Sequence, residues 1–321
     1  MLNYKTSKLL YLLSENCRIT SKELSKYLKI SQQSASYTVL NLLKKRKILK
    51  YQTLIDPAKF GLINIIAFFR YTNFDTSIIQ QIKKHLRENQ FITRIENITQ
   101  GSDLLIEYSV PNLSLFNKEN RDFLHKFTKS IIMSDIYVVI VKHIYNQKFL
   151  MRNPPETEII LSGDRDLINL SNHQLQVLEA LKNNPKESIL QISKKVKLDP
   201  KTVIKIKKYL EKQMIIRKYS SVLNYSSLEI NRKHVLIQLD YEKPNDIKKF
   251  IEYAKNHKNI ISVIKTLGDY EMFITIERTY SEKPVMNELR KEFKISNYKI
   301  IPSEGILKKN HVPDNIFKQN I

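Results

Sequence analysis

The stretches "ITQGSDLLIEY" (Ile98–Tyr108) and "TLGDYEMFITI" (Thr266–Ile276) place a glycine in the same surroundings twice. Each glycine follows an apolar run and precedes, within three residues, an acid that opens another. The chain has five glycines in 321 residues, well under the average of about 7%, so both read as turns where the backbone takes positive φ. Sliding the sequence by 168 positions lays Asp103 on Glu271, "ELSKYLKIS" (Glu23–Ser31) on "QISKKVKLD" (Gln191–Asp199), and "LLKKRKILKY" (Leu42–Tyr51) on "LEKQMIIRKY" (Leu210–Tyr219). A repeat this long is no solenoid unit; it reads as two copies of a two-domain module.

Charge separates the two domains of the module. Residues 1–50 hold eleven Lys/Arg against two acids, and residues 171–220 hold twelve against four, so 17 of the 22 net charges fall within these 100 residues. A biased genome would spread its lysines; concentration in two segments points to phosphate as their partner. With 42% apolar residues each unit can build a core. There is no run of eighteen apolar residues and no signal-peptide cleavage site, so a cytoplasmic protein is expected. The single Cys17 reads as a small helix residue, the seven histidines are scattered, and neither a cofactor nor a metal is expected.

The basic segments carry helix punctuation. Thr20 and Glu23 have capping-box spacing, Ser31 is an N-cap, and Ala35, Val39 and Leu42 form a buried stripe on the helix that follows. In the second copy Ser188 and Gln191 form the box, Asp199 caps, Pro200 opens the helix, and Val203, Ile206 and Leu210 give the stripe. Each segment ends in a β-prone run that reads as the wing of a winged helix-turn-helix. In such a unit the third helix enters the major groove N-terminus first. That offers Gln32, Gln33, Ser34, Ser36 and Tyr37 from copy one, and Lys201, Thr202 and Lys205 from copy two, to base edges of double-stranded DNA. Lys44, Lys45, Arg46 and Lys47, with Lys207 and Lys208, are placed for phosphate.

The nearly neutral segments read strand, helix, strand, strand, helix, strand, a ferredoxin-like order. The predicted fold class is α+β: a tandem repeat of a winged helix-turn-helix plus a ferredoxin-like βαββαβ (αβ-sandwich) domain. The boundaries are 1–56 and 57–147 for the first copy, a linker over 148–170, 171–225 and 226–310 for the second copy, and a tail over 311–321.

This combination resembles the Lrp/AsnC (feast/famine) family of transcription regulators. The likeness rests on the glycine turn, on "IDPAKFG" (Ile55–Gly61), where copy two has "LNYSSLE", and on the pattern of the helix-turn-helix. Gln100 stands where the family pattern places a glycine, and Lys47 and Ile215 stand near the glycine that usually leads into the wing. The resemblance implies a DNA-binding regulator, not an enzyme, whose αβ domains oligomerise or pair within one chain. It also implies a small effector such as an amino acid near the turn, at Gly268, Asp269, Tyr270 and Glu271, and at Gly101, Ser102 and Asp103. Backbone N–H groups would take its carboxylate and the acids its ammonium. Siroheme decarboxylases resemble the same build; for that alternative His143, His234 and Arg70 are the candidates, although no His/Arg-rich signature stands out in either αβ half. A sensor acting through a protein partner is a third reading.

Overall fold

A computed structural model of the chain describes residues 3–240, 245–279, 284–314 and 316; residues 315 and 317–321 of the expected tail lie outside this set. The chain opens with three helices, α1 (Tyr4–Glu15), α2 (Ser21–Leu28) and α3 (Gln32–Lys44). Thr20 closes the capping box with Glu23, and the Ser31 hydroxyl accepts the Ser34 N–H. Strand β1 (Ile48–Ile55) follows, then β2 (Ile63–Tyr71), α4 (Thr76–Glu88), β3 (Ile92–Ile98), β4 (Leu104–Val110), α5 (Leu113–Lys126) and β5 (Ile131–Tyr145). A short β6 (Glu158–Ser162) precedes the second helix-turn-helix of α6 (Asn172–Asn183), α7 (Ile189–Val196) and α8 (Pro200–Lys212). Ser188 and Asp199 cap α7 and α8 as expected. Strands β7 (Ile216–Leu223) and β8 (Ile230–Leu239), helix α9 (Asn245–Asn256), β9 (Ile260–Leu267), β10 (Met272–Thr279), α10 (Val285–Glu292) and β11 (Ile295–Lys309) complete the repeat. Among the described residues no helix is long and apolar enough to cross a membrane.

Each αβ unit forms an antiparallel four-stranded sheet, β5-β2-β4-β3 in one half and β11-β8-β10-β9 in the other. The two sheets close on each other. The N-terminal part of β5 pairs with β2 and its C-terminal part with β9, while β11 pairs first with β8 and then with β3. The result is an eight-stranded barrel whose outer faces carry the helices. Strand alternation explains the nearly continuous apolar runs. On β2, Ile65, Ala67 and Phe69 pack outward against Ile82 and Leu86 of α4 and Phe116 and Phe123 of α5, while Ile66 and Phe68 point into the barrel. On β8, Val235 and Ile237 face Phe250 of α9 and Leu289 of α10, and Leu236 meets Phe68 and Phe273 inside.

Three expectations are corrected here. The strand after each helix-turn-helix, expected as a wing, makes no hairpin in its own unit: β1 pairs with β7, antiparallel, as a two-stranded ribbon. Each helix-turn-helix core is finished by the other copy, Leu223 and Leu228 packing among Leu9, Leu13 and Val39, and Ile55 and Leu62 among Val177 and Leu210. A lone hairpin of this length is marginal in water, and cross-pairing buries both strands. The segment 148–170, expected as a linker, contains β6, which hydrogen-bonds to β5 and so extends the sheet. Ile159 and Ile160 are β-branched and, with Leu161, apolar enough to take an open edge. Cys17 sits in the turn after α1 rather than in a helix, buried with Tyr219 of the other copy, whose carbonyl accepts its N–H.

Left-handed backbone appears where glycine is expected and also where it is not. Gly101 and Gly268 take φ of 87° and 148°. Gln100, at the family's glycine position, is itself left-handed at φ 67°, as are Arg46 and Met214 at the ends of the two third helices (51° and 58°). Gly268 is also fixed by contact, because a Cβ there would lie 2.7 Å from Cδ1 of Tyr137 in the other half. A Gly268→Val variant should therefore lose about 1–3 kcal/mol, whereas Gly305→Ala, with nothing within 4 Å of the added methyl, should stay within about 0.5 kcal/mol of wild type. Urea midpoints of the two variants check this.

Candidate functional site

On the first helix-turn-helix, Gln32, Gln33, Ser34 and Tyr37 are exposed on the N-terminal turns of α3, and Lys44, Lys45 and Arg46 are exposed where it ends. Lys47 is half-buried, and the Ser36 hydroxyl is engaged with Ser21 at 2.8 Å. On the second, Lys201, Lys205 and Lys208 are exposed. Thr202 is committed to its cap, its hydroxyl donating to Asp199 at 2.5 Å, and Lys207 pairs with Glu211 at 2.6 Å beside the Tyr219 ring. Two polar surfaces of different chemistry are thus held on capped helices, with Ser36, Thr202 and Lys207 tied down locally.

The glycine turns join the halves. Gly101 lies against Lys299 of β11, and Gly268 against Tyr137 of β5, whose ring also stands 6.5 Å from that of Tyr270. The acids after the turns have backbone partners. An oxygen of Asp103 accepts the Tyr71 N–H at 2.7 Å, and an oxygen of Glu271 accepts the Leu239 N–H at 2.7 Å. These equivalent bonds anchor the ends of β2 and β8, each through one carboxylate oxygen. Ser102 is buried and bonds Ser134 at 2.9 Å, while Asp269 is exposed.

The barrel interior is divided. Its end near the glycine turns is apolar; the opposite end, beneath the β1–β7 ribbon, is charged. Glu96 of β3 is fully buried, with Arg94 bound to it, Arg232 Nε at 3.3 Å and His234 Nε2 at 2.8 Å. Arg232 also grips Glu277 of β10, and Lys142 of β5 grips Glu107 of β4. Burial alone would raise the Glu96 pKa, but Arg94, His234 and Arg232 hold it well below the usual carboxylate range. Burial pushes His234 down to about 4 against the pull of Glu96. The ring is thus neutral, with Nε2 2.8 Å from Glu96 and 2.9 Å from Arg94 and Nδ1 3.1 Å from the Thr275 hydroxyl. Between this cluster and the ribbon lies a cavity of about 140 Å³, lined among others by Arg94, Lys142, Arg232, Lys309, Gln52 and Ser221.

Of the residues considered for a tetrapyrrole, His234 belongs to this cluster, His143 pairs with Glu158 at 2.7 Å, and Arg70 is exposed at the far end of β2. No His/Arg-rich signature stands out in the sequence because the cluster is assembled from strands far apart in the chain. The available signal was a charge at alternate positions within otherwise apolar strands, as in "TRIEN" (Thr93–Asn97) and "INRKHVLI" (Ile230–Ile237).

No family model matches the chain. Among curated proteins it is 27% identical over 119 residues to an uncharacterized HTH-type transcriptional regulator of Pyrococcus furiosus, a match covering 37% of this chain and 76% of the relative. It is 28% identical over 110 residues to the regulator FL11 of the same organism, covering 34% and 70%. Among solved structures, the siroheme decarboxylase NirDL in complex with an iron-uroporphyrin III analogue matches over 98% of this chain and 96% of its own, at 13% identity and a TM-score of 0.60. NirDL without the analogue gives a TM-score of 0.58. The expectation that the chain is not an enzyme is overturned by this likeness, since the build it shares along nearly its whole length is that of an enzyme. At 13% identity the likeness carries the fold and no activity.

The buried cluster sets a pH response. Between the ordinary histidine pKa of about 6.5 and the value near 4 that burial gives His234, the unfolded chain binds a proton that the folded chain refuses. Stability should therefore fall as pH drops from about 7 to about 4, and His234→Gln should reduce that slope in urea unfolding, leaving the share of His311, which burial also holds below the usual imidazole range. Glu96 adds a further loss only below its unfolded pKa of about 4.3. Removing Arg232, which holds two buried carboxylates, should cost about 3–5 kcal/mol as Arg232→Met.

Proposed function

We propose that the chain is a sequence-specific DNA-binding transcription regulator built from two Lrp/AsnC-type units fused in tandem. The units are helix-turn-helix and αβ domain over about residues 1–147 and 171–310, working as an intramolecular pseudo-dimer. The observation that carries this reading is the pair of capped third helices with exposed, differing groups on their N-terminal turns: Gln32, Gln33 and Tyr37 on one, Lys201 and Lys205 on the other. Similarity to HTH-type regulators supports it. Glutamine suits adenine and lysine suits guanine, so the two units read unlike half-sites. Lys44, Lys45, Arg46 and Lys208 supply the phosphate contacts. The ribbon of β1 and β7 links the two helix-turn-helix units and favours a fixed half-site spacing.

A second reading, chemistry on a tetrapyrrole carrying several carboxylates, is favoured by the arginine- and lysine-lined end of the barrel and by the full-length likeness to NirDL. The cavity of about 140 Å³ is small beside the about 300–1,000 Å³ of ordinary ligand pockets, so this reading requires the ribbon to lift. Siroheme added to the purified protein separates the two: a bound Soret band with release of carbon dioxide supports the enzyme, and an unchanged spectrum counts against it.

DNA affinity measured by fluorescence anisotropy should fall with a slope of log K against log salt on the order of −4 to −8; a slope near zero would exclude the regulator. On a selected site, Gln33→Ala should relax specificity in one half-site alone, by about 1–3 kcal/mol, and Lys201→Ala in the other. Equal losses in both halves would contradict the assignment.

A further inference from the structure

The charged end of the barrel holds more cation than its acids use. Glu96 is closed by Arg94, Arg232 and His234. Glu277 takes Arg232 and, at 2.9 Å, Gln147, and Glu107 takes Lys142 and, at 2.9 Å, Asn64. Lys309 is left over. Its side chain lines the cavity from the last residue of β11, with no hydrogen-bond or ion-pair partner among the described residues. Two residues on, His311 lines the same cavity, and its Nε2 is buried without a hydrogen-bond partner among the described residues. The ribbon above contributes the Ser221 hydroxyl and Gln52 Oε1, also buried and unpaired, and the wall adds Gln147 Oε1.

Unpaired buried polar atoms are rare in native proteins and costly when isolated; here they converge on one space from four segments of chain, His311 and Ser221 able to donate to an anion and the two glutamine oxygens able to accept from a hydroxyl that it carries. A volume of about 140 Å³ corresponds to a handful of waters at about 30 Å³ each, the size of a small oxyanion and too small for a drug-sized ligand. Burial beside Arg232 and Arg94 pushes Lys309 down to about 7, and burial beside Lys309 and Lys142 holds His311 well below the usual imidazole range. Both groups would regain their protons on meeting a negative charge. We propose that this cavity is a binding site for a small metabolite carrying a carboxylate or phosphate, with Lys309 and His311 as the direct partners of its oxyanion. Arg94 and Arg232 supply the positive field behind them, and Ser221 donates a hydrogen bond from the ribbon. The site stands apart from the glycine turns and does not depend on the DNA-binding reading.

The test is calorimetric titration of the full chain with inorganic phosphate, succinate and citrate at constant ionic strength set by chloride, with glycerol as a neutral control. Saturable one-site binding is expected for at least one anion and not for glycerol, and which anion binds distinguishes phosphate from carboxylate ligands. Lys309→Met should weaken that binding at least tenfold and raise the melting temperature of the unliganded protein. His311→Gln should weaken it by a smaller factor and serves if the first variant does not fold. Lys84→Ala, on the exposed face of α4, should leave it unchanged. No saturable binding of any probe would show a cavity that holds water only, and equal affinity in wild type and both variants would place the anions on the basic surface; either result overturns the site.

Discussion

Closure of the barrel at β3–β11 and β9–β5 is the constraint on which the rest of the molecule depends. A four-stranded sheet covered by helices on one side still leaves Ile66, Phe68 and Leu105, or Leu236, Ile264 and Phe273, facing water on the other. Placing the two inner faces together removes both apolar surfaces from solvent and uses the hydrogen-bonding edges of β3 and β9 in the same step. Neither αβ unit has a finished core without its twin, and the same holds for the helix-turn-helix units, whose cores are completed across the ribbon. The halves are separate in sequence and inseparable in packing.

What could be read in the sequence follows from this division. Helix starts were legible because caps are local: Thr20 with Glu23, Ser31, Ser188 with Gln191, and Asp199 all act within four residues of themselves. The strands of the αβ units were legible as apolar runs, continuous because both faces are buried, and the two glycine turns by their rarity. Partners in space were not legible. Nothing near β1 says that it will pair with β7 instead of turning back on itself, and nothing near Arg94 says that Glu96 will also meet Arg232 and His234 from the other half. Of the candidate site, the exposed glutamines and lysines of α3 and α8 were legible from helix position. The buried cation cluster was not, because each member looks like a single misplaced charge until the strands are assembled.

The molecule carries positive charge in two settings with opposite energetics. On α3 and α8 the lysines are solvated, cost little, and act through their number, so their influence is screened by salt. Inside the barrel the cations are few and shielded from water, and Arg94, Arg232 and Lys142 are fixed by carboxylates, so these three are held firmly in place and are little affected by ionic strength.

The covalent continuity of the two halves has a consequence for what this barrel can enclose. In a dimer of identical subunits every charge near the twofold axis comes with its image, so the interior carries an even number of each kind and any ligand there meets a mirrored setting. Here the repeat matches Arg232 to Asn64, Arg94 to Ser262, Glu96 to Ile264, Glu277 to Ser109 and Glu107 to Thr275. Each ionised group on one side faces a neutral counterpart on the other, and the count is free to be odd. A barrel of this parity has a polarity across its own axis, so a molecule entering it has one preferred orientation instead of two equivalent ones.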